Sequence, residues 1–161
     1  MWQEFANTLN ELNKTYQALI ELGKKKHGAL VMVDMKTVES LLKTEEELTG
    51  KVAQLEKTRQ SLLFKLAATE AKLGPESNMQ DVIKLAPAGR MQEVLKRLYE
   101  LLAASVREAQ ELSEGNALLI RAAMDAAAFH LNRLGGAKVE PAYGSTGGEV
   151  TSHRQNLEIN A

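Results

Sequence analysis

The residue types that most often carry catalysis or bind metals are scattered in this sequence. Its histidines, His27, His130 and His153, lie too far apart for the paired spacing of a metal site, and cysteine is absent. Neither Ser61 nor Ser105 has a histidine at a spacing that marks an activated nucleophile. No phosphate-binding loop or dinucleotide-binding glycine motif occurs. We therefore expect no enzyme, no catalytic residue, no metal site and no cofactor.

The chemistry that the sequence favours is the burial of apolar surface by residues 115–134. Within this stretch only Arg121, Asp125 and Arg133 carry a formal charge, and thirteen residues are apolar. A helix that docks along one stripe keeps its other faces polar, so this segment should bury a second surface, in its own fold or in a partner. Ordinary core packing, with alanines present for helix propensity, is the alternative.

The elements that position this segment are long helices. Three stretches place apolar residues at alternating spacings of three and four, the a/d pattern of a coiled coil. We predict helices over residues 1–27, 34–73 and 90–134, with a short helix over 79–85. Strong helix formers dominate and aromatic residues make up only 4% of the chain. The predicted fold is all-α: an elongated antiparallel helical hairpin or coiled coil with a third long helix, forming one domain over 1–134.

Several residues mark the ends and the register of these helices. The basic run Lys24–His27, followed by Gly28, predicts the carboxyl end of the first helix. Asp34 predicts the N-cap of the second helix, because its carboxylate can accept from unpaired amides. Glu45 and Arg59 occupy positions in the apolar seam of the second helix, where a polar residue penalises wrong pairings. We interpret both as residues that control register.

The end of the chain and its overall charge limit the classes of partner. Residues 135–161 are polar, rich in glycine and without helical period, which predicts a flexible tail. The formal net charge of -1 argues against nucleic-acid binding, which needs a basic surface. No run of eighteen apolar residues and no secretory signal is present, so we expect a cytoplasmic protein without membrane insertion.

Together these segments resemble the FlgN-type flagellar chaperones. The tail motif Tyr143–Gly147, followed by Ser152–Arg154 and by Ile159 near the end, is similar to the tail of that family. Upstream, Leu55–Arg59 and Asn116–Leu119 also resemble it. The resemblance extends over nearly the whole chain, and the Tyr-Gly-x-x-Gly tail after a long helix is its more specific part.

The resemblance implies a chaperone of flagellar type III export. Members of the family bind hook–filament junction proteins, keep their helical termini from assembling, and deliver them to the export-gate platform. The family's tail tyrosine contacts that platform, and Tyr143 matches it. By position, the implied cargo-binding residues lie on the third long helix; they are Leu112, Asn116, Leu119, Ile120, Ala123, Met124, Ala127, Leu131 and Leu134.

A second interpretation stays open at this point. The seam of the second helix, between Val38 and Leu73, is long enough to support a structural coiled-coil protein that self-associates without cargo. Such a protein would form a stable homo-oligomer closed to helical partners.

Overall fold

The computed structural model describes residues 1–69, 73, 77–135, 138–143 and 149–154. Four helices follow one another along the chain: α1 (Trp2–Val31), α2 (Met35–Thr69), α3 (Met79–Leu85) and α4 (Arg90–Gly135). Two strands follow, β1 (Lys138–Tyr143) and β2 (Glu149–Arg154), which pair antiparallel. Helices thus form every element before β1, and the predicted all-α class is confirmed. The chain divides into two compact units, Met1–Glu114 and Gly115–Ala161.

The first two helices pack as an antiparallel hairpin. The ammonium of Lys51 lies 3.8 Å from the Glu11 carboxylate, whereas Lys26, further along α1, lies 2.6 Å from Glu45, which is earlier in α2. Higher numbers in one helix therefore meet lower numbers in the other. In the part of the chain that the structure describes, no helix is both long enough and apolar enough to cross a membrane.

The core of the first unit joins all four helices. Phe5, Leu9 and Leu12 of the predicted α1 seam are completely buried, as the three-four spacing predicts for the inner face of a helix. They belong to a single apolar cluster, whose remaining buried members are Ala6, Leu62, Leu66, Val82, Ala86, Leu95 and Leu102. α4 thus takes part in the same core as the hairpin through Leu95 and Leu102.

The side chain of Asp34 caps the N-terminus of α2, directly after the turn from α1. The Thr37 amide donates to Asp34 Oδ1 at 3.2 Å, and the Thr37 hydroxyl donates to Asp34 Oδ2 at 2.5 Å. These two bonds hold the pKa of Asp34 below its usual value, because they favour the carboxylate. The N-cap predicted at Asp34 is therefore present. The preceding Val33 has a φ of 55°, an unusual conformation for a β-branched residue.

α1 continues past the point where the basic run predicted its end. It runs without interruption through Gly23 and Gly28 to Val31. Gly23 is instead a point of close approach: a Cβ on this residue would lie 3.4 Å from Leu112 Cβ of α4. The prediction that Lys24–His27 caps the helix is wrong, because at least one of these lysines, Lys26, faces α2 rather than the helix end.

The two charged residues in the α2 seam have different partners. Lys26 Nζ donates to both oxygens of Glu45, at 2.7 and 2.6 Å, so this pair joins α1 to α2. Arg59 Nε donates to Glu56 Oε2 at 2.8 Å within α2 itself. Of these two pairings, only that of Glu45 joins two helices and so depends on the alignment between them.

Candidate functional site

The second half of α4 exposes large apolar side chains. Three of them, Phe129, Leu131 and Leu134, lie in its last two turns, and Leu118 lies earlier. The exposed fractions are 65% for Leu118, 61% for Phe129, 56% for Leu131 and 87% for Leu134. Single exposed apolar residues are common on protein surfaces, but several along one helix make this stretch a candidate binding surface.

These side chains occupy two sides of the helix. Leu131 follows Ala127 by four residues and precedes Leu134 by three, so all three share one face, here called the seam face. Leu118 and Phe129 are eleven residues apart, about three turns, and define a second face, here called the outer face. From Leu118 to Leu131 the helix makes about 3.6 turns, so the two faces point in roughly opposite directions. The expectation that this segment is apolar over more than one stripe agrees with these positions.

The predicted cargo-binding residues fall into three classes of burial. Asn116 is almost completely buried. The half-buried members are Leu112, Leu119, Ile120 and Met124. The exposed members are Ala123, Ala127, Leu131 and Leu134. All exposed members therefore lie between Ala123 and Leu134, whereas every member before Ala123 is half-buried or buried.

Leu118 and Phe129 are candidate binding residues that the predicted set does not include. They lie outside the three-four alternation, so a search along the seam passes over them. Their signal in the sequence was the excess of apolar residues over one stripe. The Phe129 ring also contacts the ring of His130 edge to face, with centroids 5.7 Å apart at an interplanar angle of 72°. This contact places one aromatic pair on the exposed part of the helix.

Few charges interrupt these faces. Arg121, Asp125 and Arg133 are exposed and are the residues of this segment that carry a formal charge. Two cations and one anion leave the surface close to neutral. A surface of this kind suits an amphipathic helix laid into an apolar groove, since apolar area supplies the affinity and a sparse polar rim supplies the orientation.

Two arrangements that catalysis often uses are a metal cluster and a serine beside a base. Among the residues that the structure describes, no group of three or more Asp, Glu or His side chains could hold a metal ion. Ser105 is buried, but its side-chain neighbours are the amides of Asn13 and Gln17 rather than a general base. These side chains therefore offer packing and hydrogen bonding.

The tail tyrosine lies at the end of a strand. Tyr143 is the last residue of β1 and stands opposite Glu149, the first residue of β2. Its predicted contact with the export gate stays a prediction, as does the flexibility predicted for residues 135–161, within which these two strands pair.

A family model described as FlgN protein matches residues 1–151 of this chain. The match includes α1 to α4, β1 and the start of β2. Among curated proteins and among solved structures, no similar protein was found.

Proposed function

Because this chain belongs to the FlgN family of flagellar export chaperones, which bind flagellar export cargo, we propose that its cargo is a hook–filament junction protein. The chaperone acts in the cytoplasm, where it covers the helical termini of the cargo and prevents their premature assembly. It then delivers the cargo to the export-gate platform. No covalent bond is made or broken in this cycle.

The observation that supports this proposal is the exposed apolar surface at the end of α4. Leu131 and Leu134 continue the seam face beyond its buried members, and Leu118 and Phe129 add the outer face. Burying one such side chain stabilises a complex by about 1.5–3 kcal/mol. A terminal cargo helix with an apolar face would be stabilised by burying that face against this surface. The same contact would cover the face through which the cargo assembles.

The direct test is binding of a peptide that carries the terminal helices of a junction protein. We expect a complex with a micromolar or lower dissociation constant in isothermal titration, and a mass by light scattering that includes the cargo. An unrelated amphipathic helix of equal length and charge is the control. A stable homodimer whose mass does not change with the peptide would contradict the chaperone proposal and favour the self-associating coiled coil.

Tyr143→Ala separates delivery from cargo binding. We expect cargo affinity to change less than twofold, because the predicted cargo surface is on α4, whereas affinity for the export-gate platform should fall by about tenfold or more, as for an aromatic anchor. Tyr143→Phe keeps the ring and should retain most of the gate affinity. If Tyr143→Ala weakens cargo binding as strongly as gate binding, the assignment of the tail to the gate is wrong.

A further inference from the structure

Within the first unit, α4 contacts the hairpin first through an apolar cluster and then through a mixture of polar and apolar contacts. Its first half is anchored by Leu95, which is completely buried, and by Leu102, which is nearly so. Both belong to the apolar cluster with Phe5 and Leu9. Beyond Leu102 the next buried residue of α4 is Ser105, a polar one. Ser105 thus adds a polar contact to this interface, while the half-buried Val106 beside it still packs against the apolar cluster.

Ser105 is the centre of a small hydrogen-bond network with α1. Gln17 Nε2 donates to Ser105 Oγ at 2.8 Å. Ser105 Oγ also lies 2.8 Å from Asn13 Oδ1 and 2.9 Å from the Leu101 carbonyl oxygen, and its single proton can be donated to either. Gln17 is exposed and Asn13 is half-buried, so water can replace these bonds when the helices separate.

Beyond Val106, a solvent-exposed ion pair joins Lys24 of α1 to Glu108 of α4 at 3.3 Å, and the apolar contact that follows involves a glycine. Leu112 of α4 packs over Gly23 of α1, at 3.4 Å from the position of a Cβ there. Gly23 offers no side chain to this contact, and Leu112 is only half-buried. Separation of α4 from α1 over this stretch would therefore expose much less apolar surface than separation at Leu95 or Leu102.

The same stretch contains part of the surface that cargo is expected to need. Leu112 belongs to the predicted cargo-binding set, yet in the free chain it faces α1. Leu119, Ile120 and Met124 of that set are also half-buried. A cargo helix can cover Leu112 completely only if this part of α4 moves away from α1.

We propose that the part of α4 from Ser105 to Glu114 separates from α1 when cargo binds, while Leu95 and Leu102 keep the helix anchored. This inference rests on the proposed cargo-binding function and adds the conformational step by which the site opens. Asn13, Gln17 and Ser105 exchange their mutual hydrogen bonds for bonds to water at small net cost. The solvent-exposed Lys24–Glu108 ion pair contributes little, so the packing of Val106 is the main apolar contact that this step gives up.

A reversible covalent lock tests the separation. Because the chain has no cysteine of its own, the double substitution Gly23→Cys with Leu112→Cys places the only two thiols at positions whose Cβ atoms are about 3.4 Å apart, close to disulfide geometry. We expect the oxidised form to bind the cargo peptide about tenfold more weakly, or worse, than the reduced form of the same protein, because the open state is no longer accessible. Adding reductant should restore the affinity.

Controls distinguish the effect of the disulfide on helix separation from an effect on folding or of a single thiol. Circular dichroism and thermal unfolding should show that the oxidised form is as helical as the reduced form and no less stable. The single variants Gly23→Cys and Leu112→Cys should not respond to oxidant. Equal affinities of the oxidised and reduced forms, with wild-type binding intact, would overturn the separation alone. A wild-type chain without affinity for the peptide would instead contradict the proposed function.

Gly23→Leu gives an independent measurement that needs no disulfide. The added side chain presses on Leu112 and destabilises the docked arrangement, so cargo should bind about threefold more tightly or better. A folded Gly23→Leu protein with unchanged or weaker cargo affinity would contradict the proposal.

Discussion

Replacing Leu131 and Leu134 together by aspartate should weaken cargo binding at least about a hundredfold and leave the chain folded. Each leucine would contribute about 1.5–3 kcal/mol on burial, and each aspartate would add the cost of desolvating a charge. The fold should tolerate both changes, because the two side chains are 56% and 87% exposed. Titration calorimetry with the cargo peptide measures the first effect, and circular dichroism the second.

The chain offers a matched control on another helix. Phe64 of α2 is 80% exposed, so Phe64→Asp makes a comparable change of apolar surface to charge away from α4. It should leave cargo affinity within about twofold. Substituting Leu119 and Met124 would be less informative, since both are half-buried and their loss also disturbs packing. If the Leu131 and Leu134 double variant keeps full affinity, the seam face is not the cargo surface.

Substitutions on the outer face show whether cargo binding depends on both sides of α4 or only on the seam face. Leu118 and Phe129 are exposed to a similar degree, but they point away from the seam face. Comparing Leu118→Asp and Phe129→Asp with the Leu131 and Leu134 double variant on the same peptide therefore reports whether cargo covers one side of the helix or wraps around it.

Patterns within one helix were predicted well from the sequence. The spacing of Phe5, Leu9 and Leu12 predicts their burial, because the period of a helix is a local property. The cap at Asp34 and the short helix Met79–Leu85 follow equally from neighbouring residues. α3 begins with a reciprocal capping box between Asn78 and Asp81, a signal contained within four positions.

Features that depend on contacts between helices were not predictable in the same way. A glycine followed by a basic run, as at Gly23, is typical of a helix end. Only the close approach of Leu112 from α4 explains why a glycine occupies this position in the middle of α1. Lys26 has the sequence context of a capping cation, but Glu45 lies nineteen positions away. For the candidate site, the sequence indicated an excess of apolar residues on α4 without showing which remain exposed, since Asn116 and Leu134 share one seam and differ completely in burial.

Removing Lys26 should cause the largest loss of stability from any single charge in the hairpin. Its side chain is 6% exposed and its ammonium contacts both oxygens of Glu45, which is 25% exposed. Lys26→Met keeps most of the aliphatic length but leaves the Glu45 carboxylate without this cation. Breaking a fully buried pair costs about 3–5 kcal/mol, and the partial exposure of Glu45 reduces this to about 2 kcal/mol. Urea unfolding followed by circular dichroism measures the change.

A second substitution separates the pair interaction from the packing of the lysine itself. Lys26→Met combined with Glu45→Leu should recover most of the lost stability, because no unpaired carboxylate then remains in the interface. Lys25→Met is the matched control: Lys25 is exposed, so its loss should change the free energy of unfolding by less than about 0.5 kcal/mol. If Lys26→Met is no more destabilising than Lys25→Met, the pair does not stabilise the hairpin.

A register role for Glu45 also predicts a change in the alignment of the two helices. In the double variant the seam is apolar at this position, so a shift of α1 along α2 is no longer penalised, and the hairpin, although stable, should form with a less unique alignment.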